Sequence, residues 1–593
     1  MATLAPRRPA VAEAATEKLR IPGWAVVTVA GALLLALSLF LRTRQLGVPY
    51  WMDEGLSVGI AAHPLSAIPG LMRQDGSPPL YYALLHGWMG AFGSSESATH
   101  TLSLAASLLC IPAAGWAARS VFGRRAGWIA AVLAAFNPFL DIYAQETRMY
   151  ALCALGSFVV AACFLQAFVY RRGRFAPAFG VALAVLAYTH NWGLFLGVGA
   201  VIAFLLCRRL APLSERRALL RDGLIGFGVC AVLYLPWLPT LLFQRAHTAA
   251  PWADKPGLGV PVVFSQSTLG GGSATGVLML AGGLGLWSIW RPGAGAAASA
   301  IGAALGAAPA GASAALAGAG DAENGARPPR DPTRPPARPP APPSHPGSPP
   351  NPDRTAAIAL LALALGTIAI GWAVSQVTPA FNPRYLSVIV GPTLLLFALG
   401  LARAGRVGLV ALVLVAGLWI NPAAHHVNNK SNARQLAIDL NPALRPGDLV
   451  IVGSPEQVSL FRYYLAPGVR FATQLGATPD PGIMDWRDAL KRLRASNVGQ
   501  NLLGVLATVP PGQRVLFVRP VTQFLSNWNA PWTKLVRRRS AQWGDALTRD
   551  PELVRIAAAP TFYRPESTNI AMHAVLYLKR PAPASAPAPL PAR

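Results

Sequence analysis

The sequence predicts a polytopic α-helical membrane protein of about eleven spans, followed by a C-terminal α/β domain outside the membrane. Three observations point there. The 593 residues are 53% hydrophobic and only 13% charged, with a mean hydropathy of +0.40, which does not describe a set of globular domains. Apolar runs long enough to cross a ~30 Å hydrocarbon core recur along the chain. After residue 421 the pattern changes to short buried-strand runs separated by helical stretches.

The first apolar run, 21–41, follows a basic tail (1–20, with Arg7, Arg8, Lys18 and Arg20) and lacks a small-residue cleavage site, so it reads as a span rather than a signal peptide. Further spans are expected near 97–121, 126–142, 148–170, 175–189, 192–207, 219–242, 274–290, 356–377, 385–402 and 407–421. The segment 78–93 is short for a crossing. If it crossed, Arg124-Arg125, Arg171-Arg172, Arg208-Arg209 and Arg403/Arg406 would all lie outside. If it lies along the outer surface as an amphipathic helix, all of them are cytoplasmic, as the positive-inside rule requires. The second threading places Asp53, Asp75, Glu146, His190 and Arg384 together on the extracytoplasmic side. It also absorbs the net charge of +26, which is therefore no sign of a nucleic-acid partner.

The resulting division is a cytoplasmic tail (1–20), a transmembrane catalytic region (21–290) with an outer loop at 42–96, and a linker (291–355). The final spans (356–421), an extracytoplasmic α/β domain (422–580) and a tail (581–593) complete it. The linker runs from Ala/Gly-rich to Pro/Arg-rich and cannot bury enough apolar surface to fold, so disorder is expected there and in the Pro/Ala-rich tail. Strands are expected at 448–452, 514–518 and 573–578, with a helix around Gln457–Leu465. Cys110, Cys153, Cys163, Cys207 and Cys230 all lie in apolar stretches without metal-ligand spacing and read as core residues.

Chemistry concentrates in three outer segments. Asp53-Glu54, after Tyr50 and Trp51, is an acidic pair at the membrane boundary, costly to place. Adjacent carboxylates repel, so one becomes a base of raised pKa unless a cation compensates it. The alternative is a solvated loop acid, or a cap for a helix starting near Gly55. In Asp75-Gly76-Ser77-Pro78-Pro79-Leu80-Tyr81-Tyr82, Ser77 reads as an N-cap that holds Asp75 just outside a helix start. In Gln145-Glu146-Thr147-Arg148-Met149-Tyr150, a helix beginning at once would put Glu146 and Tyr150 on one face and pair Gln145 with Arg148. His190 is a lone loop histidine. Arg384, the sole Arg of its outer loop, suits bidentate phosphate contact or headgroup snorkelling. Pro236-Trp237-Leu238-Pro239 reads as a helix-end anchor.

In this order the segments resemble bacterial membrane glycosyltransferases of the GT-C type, family 39-like enzymes related to protein O-mannosyltransferases and the aminoarabinose transferase of lipid A. The likeness rests on Tyr50 to Gly55, Asp75 to Tyr82 and Gln145 to Tyr150. Tyr188-Thr189-His190, Pro236 to Pro239 and Arg384-Tyr385-Leu386 support it, over roughly 20–290 and 356–420. It departs at Ser77, where the eukaryotic mannosyltransferases commonly have His, and in the Pro/Ala-rich insertion.

The resemblance implies the GT-C fold and a polyprenyl-phosphate-linked sugar as donor, in the bacterial inner membrane with the active site on its outer face. The acceptor would be a hydroxyl of a lipid, glycan or protein. It implies Asp53 as base, with Glu54 and Glu146 as further catalytic carboxylates. The phosphate then falls to Arg148, Arg384 and Tyr82, and substrate contacts to Asp75, Tyr81, Tyr150, His190 and Gln145. A divalent cation (Mg or Mn) bridging Asp53 and phosphate is compatible with these residues but not required by them. The rival readings are a transporter or flippase, which should show symmetric halves and midplane breaks, and a glycan ligase of the cell envelope.

Overall fold

The structure is a computed structural model, and it describes residues 23–248, 250–291, 351–421, 430–521, 529–559 and 571–580. The predicted tails 1–20 and 581–593 and nearly all of the predicted linker 291–355 lie outside the described residues. The linker's expected end is corrected by a few residues. A helix already begins at Pro352, its first turn capped by the Asn351 carboxamide, which accepts from Asp353 N at 2.9 Å.

Among the described residues eight helices are long and apolar enough to cross a membrane, a bent helix pair makes a ninth if it counts as one span, and two shorter apolar helices lie at Phe175–Thr189 and Gly405–Ile420. Together they occupy the segments read as spans from the sequence. In chain order the site region comprises α1 (Gly23–Arg42), α2 (Met52–Ala61), α3 (Ile68–Asp75), α4 (Leu80–Phe92), α5 (Glu96–Phe122), α6 (Arg124–Phe136), α7 (Pro138–Ala144), α8 (Tyr150–Phe164), α9 (Phe175–Thr189) and α10 (Trp192–Leu210). The 13 residues of α4 reach only about 20 Å, short of a crossing. Its buried face, Tyr81, Tyr82 and Leu85, packs inward.

The bent pair is α6 and α7, which meet at 50°. Pro138 has no N–H to continue the ladder, so carbonyls before it lose their partners. Arg42 supplies replacements. Its Nη2 donates to Ala134 O (2.7 Å) and Ala135 O (3.3 Å), and its Nη1 to Ser107 O (2.8 Å). Within a bilayer such carbonyls need an internal donor.

A second departure lies at Pro236 to Pro239. The helix does not end there. A 3₁₀ turn (Leu235–Trp237) links Arg216–Tyr234 to a further helix, Leu238–His247. That extension lets Gln244 Nε2 donate to Met72 O (2.7 Å) and Ser77 O (3.0 Å), tying it to the outer loop.

The C-terminal domain is a six-stranded mixed sheet of order β3-β2-β1-β4-β6-β5. The strands are β1 (Leu449–Val452), β2 (Arg470–Thr473), β3 (Gly476–Thr478), β4 (Arg514–Pro520), β5 (Leu553–Ala558) and β6 (Met572–Lys579). β1 runs parallel to both β2 and β4 and is buried throughout, which is why it reads as an unbroken apolar run. Residues of Val458–Tyr464 lie against α2 at backbone distance. A Cβ on Gly55 would stand 2.7 Å from Leu460 Cα, and one on Gly59 2.1 Å from Gly482 O. Tyr464 OH accepts from Tyr50 N (2.8 Å) and donates to Glu96 Oε1 (2.9 Å). The five cysteines are free thiols.

Candidate active site

The site forms where α2, α4 and α8 begin, where α9 ends, and where the helix opening at Pro383 begins. The Arg124, Arg171 and Arg403 clusters occupy the opposite ends of their helices. There Arg171 pairs with Glu215 at 3.0 Å, and Arg403 pairs with Asp353.

Consecutive residues on a helix point about 100° apart, so α2 sends its two acids in different directions. Asp53 Oδ2 meets Arg384 Nη1 at 3.0 Å, and the two side chains keep 19% and 14% exposure. The Arg384 guanidinium lies 4.9 Å from the Trp51 ring centre and 5.8 Å from those of Tyr150 and Tyr385, an aromatic cage suited to a planar cation. Arg148 Nη1 donates to Ser57 Oγ (2.9 Å), Tyr82 OH (3.3 Å) and Asp53 O (3.3 Å). Tyr82 OH donates onward to Asp75 Oδ2 at 3.4 Å. Asp75, which burial pushes above the ordinary carboxylate range while Ser77 and Arg148 oppose it, completes that chain.

Glu54 turns the other way and is fully buried. Its Oε1 accepts from Lys430 Nζ (2.8 Å), His100 Nε2 (2.6 Å) and Thr147 N (2.7 Å), and its Oε2 from Trp51 N (3.3 Å). Burial alone would raise its pKa. The Lys430 ammonium and His100 outweigh burial and hold it down at about 2. The helix-capping alternative therefore holds in part, since Glu54 does close the first turn of α2. Glu146 is the carboxyl of raised pKa. Burial lifts it to about 7, with Lys430 and Arg384 opposing and Glu54 and Asp53 adding to the rise. Its Oε1 and the Tyr150 hydroxyl are buried with no hydrogen-bond partner among the described residues.

His190 packs on Tyr385 (4.8 Å) and Tyr150 (6.0 Å), and its Nδ1 accepts from Trp192 N at 3.1 Å. Burial, reinforced by Arg148 and Arg384, lowers its pKa to about 3, so the ring is neutral with its proton on Nε2. Tyr81 is buried behind Tyr82, their rings meeting edge-on at 5.9 Å.

Two expected local arrangements do not form. The helix after the second outer loop starts at Tyr150, so Gln145 and Glu146 precede it and the i, i+3 and i, i+4 pairings are absent. Gln145 Oε1 instead accepts from Gln45 N (2.8 Å), bracing the end of the first span. Nor does Ser77 cap α4, whose N-cap residue is Pro79, while Asp75 closes α3 ahead of a left-handed Gly76 (φ 95°). Sequence reasoning missed Lys430, His100 and Ser57, and it named Tyr385 only as part of a supporting segment. Lys430 carried one signal, a lone cation in a polar run just after the last span. Among the described residues no three His, Cys, Asp or Glu side chains gather as metal ligands.

The sequence matches no protein-family model and no curated protein. Solved structures do resemble it. ArnT from Cupriavidus metallidurans in the apo state aligns at 16% identity and a TM-score of 0.47, over 93% of this chain and 98% of that one. Arabinofuranosyltransferase AftD from Mycobacteria aligns at 14% identity and 0.49, over 93% of this chain and 40% of its own. The Archaeoglobus fulgidus oligosaccharyltransferase aligns at 12% and 0.46, over 86% and 72%.

Proposed function

We propose that the protein is an integral membrane glycosyltransferase, moving a sugar from a polyprenyl-phosphate donor to a hydroxyl acceptor on the outer face of the cytoplasmic membrane. One observation carries this reading: a partly exposed carboxylate, Asp53, shares a site at the helix ends with two guanidinium groups, Arg384 and Arg148. A proton acceptor beside a phosphate clamp is what such a transfer needs. The site's place at the mouth of the helix bundle lets a polyprenyl tail remain among apolar helices while its phosphate reaches the arginines.

In the proposed reaction the acceptor oxygen attacks the anomeric carbon and gives its proton to Asp53. The new C–O bond forms as the bond from that carbon to the phosphate oxygen breaks, and polyprenyl phosphate leaves with inversion of configuration. Phosphate is already a competent leaving group, so the arginines need only stabilise its developing charge. Glu146 and Tyr150, whose polar atoms are unpaired among the described residues, face the sugar, and neutral His190 donates from Nε2. No step is routed through a metal. The donor's sugar, pentose or hexose, is not set by these residues.

The test is release of undecaprenyl phosphate from synthetic undecaprenyl-phosphate pentoses and hexoses by the purified protein in lipid nanodiscs. Mass spectrometry of membrane glycans with and without the intact gene accompanies it. Release from one donor and loss of one glycan are expected. No release, with an unchanged glycan profile, contradicts the proposal.

A further inference from the structure

Lys430 lies between the last apolar helix, which ends at Ile420, and the helix that starts at Ala433, far in sequence from both outer loops. Its ammonium bonds to two of them at once, at 2.8 Å from Glu54 Oε1 and 2.6 Å from the Gln145 carbonyl. Next to it, Ser431 Oγ donates to Tyr50 O at 2.6 Å. We propose that Lys430 is a positioning residue for the catalytic acids, locking the 50–54 turn to the 145–148 loop so that Asp53 and Glu146 are held on either side of Arg384. The inference rests on the glycosyltransferase reading only for the word catalytic; the clamp itself is read from the geometry.

Three features carry it. A single oxygen of Glu54 accepts donors from three separate segments, at His100, Thr147 and Lys430, so it is a junction rather than a local cap. Both partners are buried, with side-chain exposures of 7% for Lys430 and 0% for Glu54, and a charge pair removed from water persists only where its geometry is fully satisfied. Asp53 is covalently next to Glu54, and its own carbonyl is held by Arg148 and Ser57, so a turn of Glu54 would swing the Asp53 carboxylate off Arg384.

The clamp also has an electrostatic consequence. The charged groups acting on Glu146 are Lys430, Arg384, Glu54 and Asp53, and Tyr143 lies on the preceding helix. Lys430 heads the charges that favour the ionised form. Removing it should raise the pKa of Glu146, a response that a purely mechanical brace would not give.

The experiment uses the full chain in lipid nanodiscs, comparing wild type, Lys430→Met and the double variant Lys430→Met/Glu54→Gln. Infrared titration of the carboxylic-acid band, assigned by its loss in Glu146→Gln, follows protonation, and hydrogen exchange at Trp51 and Thr147 N–H follows the clamp. In Lys430→Met the midpoint should rise by about one pH unit, tenfold in proton affinity, and both amides should exchange at least tenfold faster. If the single variant does not fold, the double variant, which leaves no unpaired buried charge, takes its place for the exchange measurement alone, because losing the Glu54 charge offsets the effect of losing Lys430 on Glu146; both amides should again exchange at least tenfold faster, and wild-type exchange there overturns the inference. An unshifted midpoint with wild-type exchange overturns the inference. Undecaprenyl phosphate binding by wild type is measured in parallel. Its absence would count against the functional reading while leaving the clamp result to stand or fall alone.

Discussion

Arg384 Nη1 lies 3.0 Å from Asp53 Oδ2, joining the first outer loop to the helix that opens at Pro383. The guanidinium occupies one of the carboxylate's lone pairs. On the proposed reaction the incoming phosphate competes for Arg384 and frees Asp53 to take the acceptor's proton. The ion pair is then the resting state of the site, and donor binding opens it.

Arg384→Ala should weaken undecaprenyl phosphate binding roughly 10- to 100-fold, the worth of one or two charge-assisted hydrogen bonds. Arg384→Lys should recover only part of it, because an ammonium cannot fork around a phosphate or stack in the Trp51–Tyr150 cage. Isothermal titration in nanodiscs measures both. Equal binding by the alanine variant would remove Arg384 from the phosphate clamp.

Glu146 makes stability depend on pH in an identifiable direction. Its folded pKa, about 7, lies above that of an unfolded glutamate, so the folded state binds the extra proton. Stability therefore falls as pH rises from roughly 4.5 to 7, by an amount on the order of 3 kcal/mol for a shift of this size. Glu146→Gln should flatten that slope and raise the melting temperature at pH 8. Thermal unfolding across pH shows whether the slope disappears.

Glu54 behaves oppositely, because its pKa is depressed to about 2. Its contribution is present above about pH 4.5 and is lost as pH falls toward 2. Glu54→Ala leaves Lys430 buried without its carboxylate and should cost about 3–5 kcal/mol. A melting temperature unchanged from wild type would show that the buried pair is not stabilising the junction of the 50–54 turn with the 145–148 loop.

Gly55→Ala and Gly59→Ala place a methyl group into the seam between α2 and the C-terminal domain, 2.7 Å from Leu460 Cα and 2.1 Å from Gly482 O. Backbone atoms cannot give way as a flexible side chain would, so each variant should lose roughly 1–3 kcal/mol. The seam should also become a site of limited proteolysis. Wild-type melting and protease resistance in both would mean the domain does not seat on α2 this closely.

Much of this site was legible in the sequence because charge in an apolar chain is conspicuous. Asp53, Arg148 and Arg384 stand out against 53% hydrophobic residues, and the positive-inside pattern alone put them on one side. β1 and β4 were legible as unbroken apolar runs, whereas β2, β3 and β5 are short or exposed and carry no such pattern. What stayed hidden was local start and stop geometry. Glu146 and Arg148 read as a first helical turn, yet Thr147 N is drawn to Glu54 instead, so the helix waits until Tyr150. Pro236 and Pro239 read as a stop, yet a 3₁₀ turn carries the helix through. Lys430 stands out in the sequence only as a cation in a polar run; its role was hidden because its partners lie in loops that sequence spacing cannot bring to it.

The most direct measurement is turnover of a synthetic undecaprenyl-phosphate sugar by wild type and Asp53→Asn, alongside undecaprenyl phosphate binding. Turnover should fall about 10²–10⁴-fold, the usual worth of a general base, with binding retained or tightened because Arg384 is released. Near-normal turnover in Asp53→Asn would contradict it.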